Sequence, residues 1–559
     1  MERGVRVHTM MRQRTSSSAI ATATAAAILL LAAPACSAAD GPDDTRPGTA
    51  PASAPRTPTA GQSRTPAAAP TPADSPPPPS RPPRAIPAVR EFEPATGPGW
   101  RPTPGARVVT AAGAAGAGLA DEARLLAGEL DLGVAEGAAP GPGDIQLALA
   151  PKQPGGPESY TLTTRGGRVV ISGPDQAGVF YGTRTLGQAV RADGFLGEGT
   201  VRDRPAKPQR GLHLDIARKS FTADWIEARV RELADLKLNQ LALHFSDDQG
   251  FRIESTRHPE IVSTPHLTKA EVRRIVDLAT RLHVTVIPEI DSPGHLGAVL
   301  RAHPALQLRD SQGRTVRGAV DISDPAAAKL VDELLREYLP LFPGRPWHLG
   351  ADEYQALVYR NPEASFPQLA AAARQRYGAG ATVGDLATGW LNDRAAVVAG
   401  AGRQPKAWND GFFHGSKAAA DPAIEVEYWT GKEIGARPPL DYLNAGRRLV
   451  NLNDEYLYYV LGQPNDFTYP TGRRIYREWT PLVLRGTAPV PARWADRILG
   501  ARLAVWCDLA GAQTQAQVAA GIRLPLAALS QKVWDARTPT RTWTAFTALA
   551  DELRRPPGP

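Results

Sequence analysis

The sequence predicts an α/β protein whose larger part is a (β/α)8 TIM barrel preceded by a small α+β domain. From Arg210 onward, eight short apolar runs alternate with longer stretches of helical apolar spacing. The unusual polar and aromatic residues follow those runs directly, and strand C-terminal ends are where barrels build active sites. The stretch before Lys207 has another rhythm, with a hairpin and two helical patterns, and at 559 residues the chain exceeds one ordinary domain.

Taken in order, Arg3, Arg6, Arg12 and Arg14 precede the apolar run Ala19–Leu31, then come small residues and Cys36. This is the pattern of a secretory signal over residues 1–36. As a helix the apolar run would rise only about 20 Å, too short to cross a bilayer. Ala33-Pro34-Ala35-Cys36 resembles a lipoprotein cleavage box, with Ala33 where Leu is usual. Two readings follow: lipidation at Cys36, giving a membrane tie through a lipid anchor alone, or plain secretion. Both put the mature protein outside the cytoplasm or at the cell surface. Of the 53 prolines, 15 fall between Gly41 and Arg90, so residues 37–92 read as a disordered Pro-rich linker.

The small domain is expected over 93–207. Arg107–Thr110 and Ile145–Ala150 read as strands, and Leu119–Leu130 and Gln176–Val190 as helices. Tyr160–Thr164 and Arg168–Ser172 form a hairpin across Gly166-Gly167. The domain holds no acid, base or metal cluster and reads as structural. The barrel is expected over 208–559. Its strands are Gly211–Ile216, Gln240–Phe245, Thr285–Ile290, Trp347–Leu349, Lys406–Asn409, Ala423–Tyr428, Leu449–Leu452 and Arg502–Trp506. Helices such as Asp224–Leu236, Lys269–Leu282, Ala326–Leu339, Val383–Ala399 and Gln513–Val533 fall between many of them.

Charge excludes a nucleic-acid partner. The formal balance is +7, but ten Arg against five acidic residues through Arg90 leave only +2 for the rest, with no basic stripe. The two cysteines, Cys36 and Cys507, stand far apart, and Cys507 reads as a small buried apolar residue.

The strand ends carry Asp215 and Arg218, then Asp247 and Asp248, then Glu289, Asp291 and His295, then Asp352 and Glu353. Trp408, Trp429, Tyr456, and Trp506 with Asp508 follow at the later strands. Indole faces suit sugar rings, while carboxylates and Arg suit hydroxyls. Adjacent Asp352 and Glu353 on an extended strand end would point opposite ways unless a turn aims both inward. Glu289, Asp291, His295 and His348 were weighed as metal ligands, but no HExxH or HxH spacing occurs, so neither metal nor cofactor is expected.

Four segments, GLHLDIAR, LKLNQLALHFSDDQGFRIES, VIPEIDSPGH and HLGADE, resemble glycoside hydrolase family 20, the β-N-acetylhexosaminidases. GVFYGTRTLGQ in the small domain is similar too. The resemblance implies hydrolysis of β-linked GlcNAc or GalNAc from N-acetylhexosamine-containing glycans by substrate-assisted catalysis, in which the 2-acetamido oxygen attacks the anomeric carbon and forms an oxazolinium-type intermediate. It implies Glu353 as acid and then base, its pKa raised by a pocket near Asp352, and Asp352 as acceptor of the acetamido N–H. Tyr456 would donate to the acetamido oxygen, Trp408, Trp429 and Trp506 would wall the pocket, and Arg218 would bind the 3- and 4-hydroxyls. Asp247 and His295 would position Glu353. Asp508 stands where many relatives carry Glu, and Tyr458 where they often carry Asp. HLGADEY and YLYY are closer to the branch of dispersin-like and lacto-N-biosidase-like enzymes, which leaves single-sugar release and Gal-β1,3-GlcNAc release both open. A non-catalytic glycan-binding lipoprotein is the rival class.

Overall fold

The computed structural model describes residues 80–554 except 414, 416 and 433–435. The signal, Cys36 and residues 37–79 of the expected linker lie outside the described residues. Residues 80–92, expected to end that linker, are instead built into the fold. Ala85 and Ile86 are buried. Gln188 accepts the Ile86 amide N–H at 2.8 Å and donates to its carbonyl at 3.0 Å, and Gln531 accepts from the Ala88 amide at 2.8 Å. Proline content tracked the lack of regular structure here but not the lack of burial.

The small domain is a seven-stranded sheet. Its strands are β1 (Glu91–Pro94), β2 (Arg107–Thr110), β3 (Gly133–Glu136), β4 (Ile145–Leu149), β5 (Tyr160–Arg165), β6 (Arg168–Gly173) and β7 (Gly199–Asp203), in the order β1-β7-β5-β6-β4-β2-β3. The hairpin and both helices stand where the sequence puts them, at Ala120–Leu130 and Gln176–Asp193. β1, β3 and β7 are additional; β1 and β3 are edge strands with mostly exposed residues, so they lack an apolar signal. Asp175 caps the second helix by accepting the Gly178 amide, and Gly194 ends it in the left-handed conformation.

The barrel strands are β8 (Gln209–Asp215), β9 (Gln240–His244), β10 (Thr285–Glu289), β13 (Pro346–His348), β14 (Gln404–Trp408), β15 (Glu425–Tyr428), β16 (Leu449–Asn451) and β18 (Ile498–Trp506). All pair in parallel with their neighbours, and β16 on β18 closes the ring. Capping boxes at Thr268/Glu271, Thr382/Asp385 and Thr514/Gln517 begin three of the outer helices.

Two departures from a plain barrel shape the rim. A hairpin of β11 (Gln307–Arg309) and β12 (Thr315–Val320) is inserted after β10. The seventh strand position is split, because β17 (Tyr458–Val460) takes over from β16 and pairs with the outer end of β18. Buried Asn451 and Asn453 hold this crossing by donating to the carbonyls of Pro481, Val483 and Gly486.

The small domain meets the barrel at the strand N-terminal ends, opposite the rim. Buried Arg210 pairs with Glu158 at 2.7 Å and lies against the rings of Tyr181 and Trp534. Lys237 donates to Tyr160 and Thr185 and stands 3.4 Å from Asp203, which also accepts the Trp534 indole N–H.

Candidate active site

The turn after β13 resolves the orientation of the two adjacent acids. Gly350, Ala351 and Glu353 all have left-handed backbone (φ 69°, 78° and 47°), and both Asp352 and Glu353 line one cavity as a result. A side chain at position 350 would strike the Asp291 carboxylate, so glycine is required there. Left-handed Ala351 and Glu353 each cost about 1–2 kcal/mol. They are held in place because Asp291 accepts the Ala351 amide at 2.9 Å and Asp410 accepts the Glu353 amide at 3.1 Å.

His295 joins the acids to a buried chain. Its Nε2 lies 3.4 Å from Glu353 and 3.6 Å from Asp352, while Nδ1 lies 3.4 Å from Asp247. The Asp247 Oδ2 also meets His244 Nε2 at 2.8 Å and Arg218 at 2.7 Å, and Arg218 reaches Asp215 at 3.1 Å. Below this, Glu289 contacts His213, His244 and His348 and accepts the Trp408 indole N–H. Among the described residues the four side chains weighed as metal ligands do not gather at one point. Glu289 and His348 belong to this lower layer, and Asp291 and His295 cluster with Asp352.

The protons are arranged otherwise than the resemblance implied. Burial alone would lower His295, but Asp247, Asp352 and Asp291 raise it well above the ordinary imidazole value. The hydrogen bond from His295 then holds Glu353 below the usual carboxylate range. Burial, then the neighbouring Asp291, drives Asp352 well upward, and burial lifts Asp291 to about 6. Buried Asp410 is raised as well. The direction is thus opposite to the expectation that a low-dielectric pocket raises Glu353. Its side chain is 37% exposed beside an imidazolium, whereas Asp352, at 12%, is enclosed with a second carboxyl.

The aromatic wall also differs. Trp429 and Trp506 line the cavity, but Trp408 is buried one layer beneath, 5.9 Å from the Trp506 ring, with its N–H on Glu289. Tyr456 does not line the cavity; its ring lies under the Arg474 guanidinium, 4.1 Å away, in the main core. Tyr458 does line it, stacked parallel to Trp429 at 5.6 Å and 5.9 Å from Trp506. Tyr456 lies in the turn before β17, outside the strand's alternation, whereas within β17 Tyr458 and Val460 face the cavity and Tyr459 packs behind on Tyr469. Asp410 was also missed by sequence reasoning, although it stands two residues after Trp408. It accepts the Glu353 amide and the Trp429 indole N–H, joining acid and wall. Cys507 is a buried free thiol, as expected.

The cavity containing Asp352, Trp429, Tyr458 and Trp506 has a volume of about 680 Å³. A second, of about 490 Å³, is lined by Asp248, Gln249, Arg317 and Tyr359 among others. The two meet at Arg218, His295, Glu353 and Asp508. In the second cavity Thr315–Arg317 come from the inserted hairpin. An acid, a charged relay, stacked aromatic rings and a half-buried arginine suit recognition and cleavage of a sugar.

Comparison with known proteins agrees. The description "Glycosyl hydrolase family 20, catalytic domain" matches residues 208–537, and "Glycosyl hydrolase family 20, domain 2" matches residues 82–204. A lacto-N-biosidase of Bifidobacterium bifidum is 30% identical over 84% of this chain, which spans 41% of that longer protein. A β-N-acetylhexosaminidase of Cellulomonas fimi is 27% identical over 76% of this chain and 83% of its own length. The fold is shared with a Vibrio harveyi exo-β-N-acetylglucosaminidase in complex with N-acetylglucosamine (TM-score 0.68, 20% identity, 84% of this chain and 76% of that one). It is also shared with a variant of the Streptomyces plicatus β-hexosaminidase in complex with product GlcNAc (TM-score 0.66, 23% identity, 86% and 95%). The chain belongs to glycosyl hydrolase family 20.

Proposed function

We propose that this protein is a retaining glycoside hydrolase that cleaves β-linked N-acetylhexosamine residues from glycans, with the substrate's acetamido oxygen as nucleophile. The observation that carries this reading is that Asp352 and Glu353, adjacent in sequence, converge on one nitrogen of His295 at 3.6 and 3.4 Å. Two carboxyls so placed do not flank a glycosidic bond from opposite faces, as the direct two-carboxylate mechanism requires. One acid and one helper suffice when the sugar attacks itself.

Glu353 protonates the leaving oxygen and then activates water. Before substrate binds, the proton rests on His295, 3.4 Å away, and it passes to Glu353 when substrate excludes water from that carboxylate. The Asp352 Oδ1 is buried without a hydrogen-bond partner and is suited to accept the acetamido N–H. Ionised Asp352 then balances the charge that develops as the ring closes. Tyr458, in place of Tyr456, donates to the acetamido oxygen, and Trp429 and Trp506 hold the acetamido group and the ring. Arg218 and Asp508 grip the 3- and 4-hydroxyls. Replacement of Glu353 by Gln is expected to reduce turnover by about 10²–10⁴-fold. Undiminished turnover would refute the acid assignment, and wild-type protein that binds sugar without cleaving it would favour a glycan-binding lipoprotein.

A second reading, release of a disaccharide such as Gal-β1,3-GlcNAc, is favoured by the 490 Å³ cavity that opens at Arg218 and Asp508. A sugar joined to the 3-hydroxyl would enter there. Nitrophenyl β-GlcNAc against nitrophenyl β-lacto-N-bioside separates the two, and cleavage of only the latter establishes the disaccharide reading. We also propose export through residues 1–36. Mass analysis of the native N-terminus distinguishes acylated Cys36 from plain secretion.

A further inference from the structure

We propose that His258, Glu260 and His303 form a binding site for a divalent transition-metal ion of the zinc class, away from the sugar cavities. The three side chains converge. Glu260 Oε1 lies 3.1 Å from His258 Nδ1 and 2.9 Å from His303 Nε2, and one donor atom from each of the three residues falls within a 4.8 Å group. A tetrahedral ion about 2.0–2.1 Å from each donor sets neighbouring donors about 3.3–3.4 Å apart. Small adjustments of the two imidazoles therefore bring all three into range.

The surroundings fit a ligand set. Glu333 Oε2 stands 3.4 Å from His258 Nε2, from where a small ring rotation would let it accept a hydrogen bond from that nitrogen and leave Nδ1 to the ion. The side chains of His258, His303 and Glu260 are 15%, 28% and 42% exposed, which leaves an entry path and room for water as a fourth ligand. Two imidazoles and one carboxylate suit zinc better than calcium or magnesium, which take oxygen donors.

The site would join two loops that build the rim. His258 and Glu260 belong to the turn at Pro259–Ile261, on the connection after β9 that begins with Asp247. His303 follows the helix Gly297–Ala302, which starts two residues after His295. Arg301 of that helix already donates to the Asp248 carbonyl at 2.7 Å. A bound ion would fasten the back of the Asp247–His295 relay without touching substrate.

The test uses the full-length, tag-free protein after EDTA treatment and dialysis, titrated calorimetrically with zinc chloride alone. One saturable site is expected, with melting temperature rising by about 2–3 °C at a hundredfold excess over Kd. Uptake should be lost in His303→Ala and in the His258→Ala/His303→Ala double variant, with hydrolysis in metal-free buffer unchanged. Glu333→Gln should weaken binding by about 10–100-fold and keeps the proposal testable if a histidine variant misfolds. Absence of saturable uptake by the wild type, or uptake unchanged in the double variant, would overturn the proposal. The first result would mean that the three side chains only hydrogen-bond to one another.

Discussion

Glu353 and Asp352 differ by one position in the chain, yet the fold treats them oppositely. Glu353 faces His295 and solvent, and His295 holds it below the usual carboxylate range; Asp352 is enclosed with a second carboxyl, and burial drives it well upward. His295 lowers both, and removing its charge should raise both. His295→Asn is therefore expected to move the whole pH profile of kcat/KM to higher pH, since Asp352 must lose a proton to receive the acetamido N–H; a downward shift would contradict the assignment. The motifs pointed to these residues, but not to their pKa shifts, which depend on exposure and on neighbours distant in sequence. The tyrosines show the same limit. Tyr456 and Tyr458 both fit a family pattern by spacing, and only the split of the seventh strand decides which ring meets the cavity. Tyr458→Phe should lower kcat by at least tenfold with little effect on folding, while Tyr456→Phe leaves kcat within about twofold. The reverse ranking would restore the motif-based choice.

Among elements, those with a buried apolar face were legible and those without one were not. The barrel strands and the capped outer helices announce themselves by near-continuous apolar runs and by Thr-x-x-Glu, Asp or Gln signals. The edge strands β1 and β3 and the short β11 carry too few buried side chains to stand out, and β17, though buried, is only three residues long. The contact between small domain and barrel was invisible for another reason: it is built from buried charges, which sequence patterns place on surfaces. Lys237 there is pushed down to about 8 by burial, against the pull of Asp203. A base lowered in the folded state binds fewer protons than the unfolded chain between pH 8 and its ordinary value of 10.5, so its contribution to stability grows as pH rises through that window. The melting temperature of the wild type minus that of Lys237→Met should thus increase from pH 8 to 10.5. A flat or falling difference would mean that the lysine keeps its ordinary pKa at the contact.

At the scale of the whole molecule, the small domain braces the barrel from the end opposite the chemistry, and catalytic side chains come from the ends of many strands. That arrangement was readable because rim residues must follow strands in order, and their order survives in one dimension. The two joined cavities were not readable, because their walls combine loops separated by long stretches of chain, including the inserted hairpin. In the proposed mechanism the fold offers a charged relay, an enclosed helper acid and an aromatic wall, and the attacking atom is left to the ligand. Hydrolysis of a series of nitrophenyl glycosides whose N-acetyl group carries zero, one, two or three fluorines measures that division of labour most directly, using whichever of the monosaccharide or disaccharide is the better substrate. Fluorine withdraws electrons from the amide oxygen, so kcat/KM should fall steeply and in order along the series. Rates that stay level as fluorines are added would mean that the bond is broken by an atom of the protein or by water.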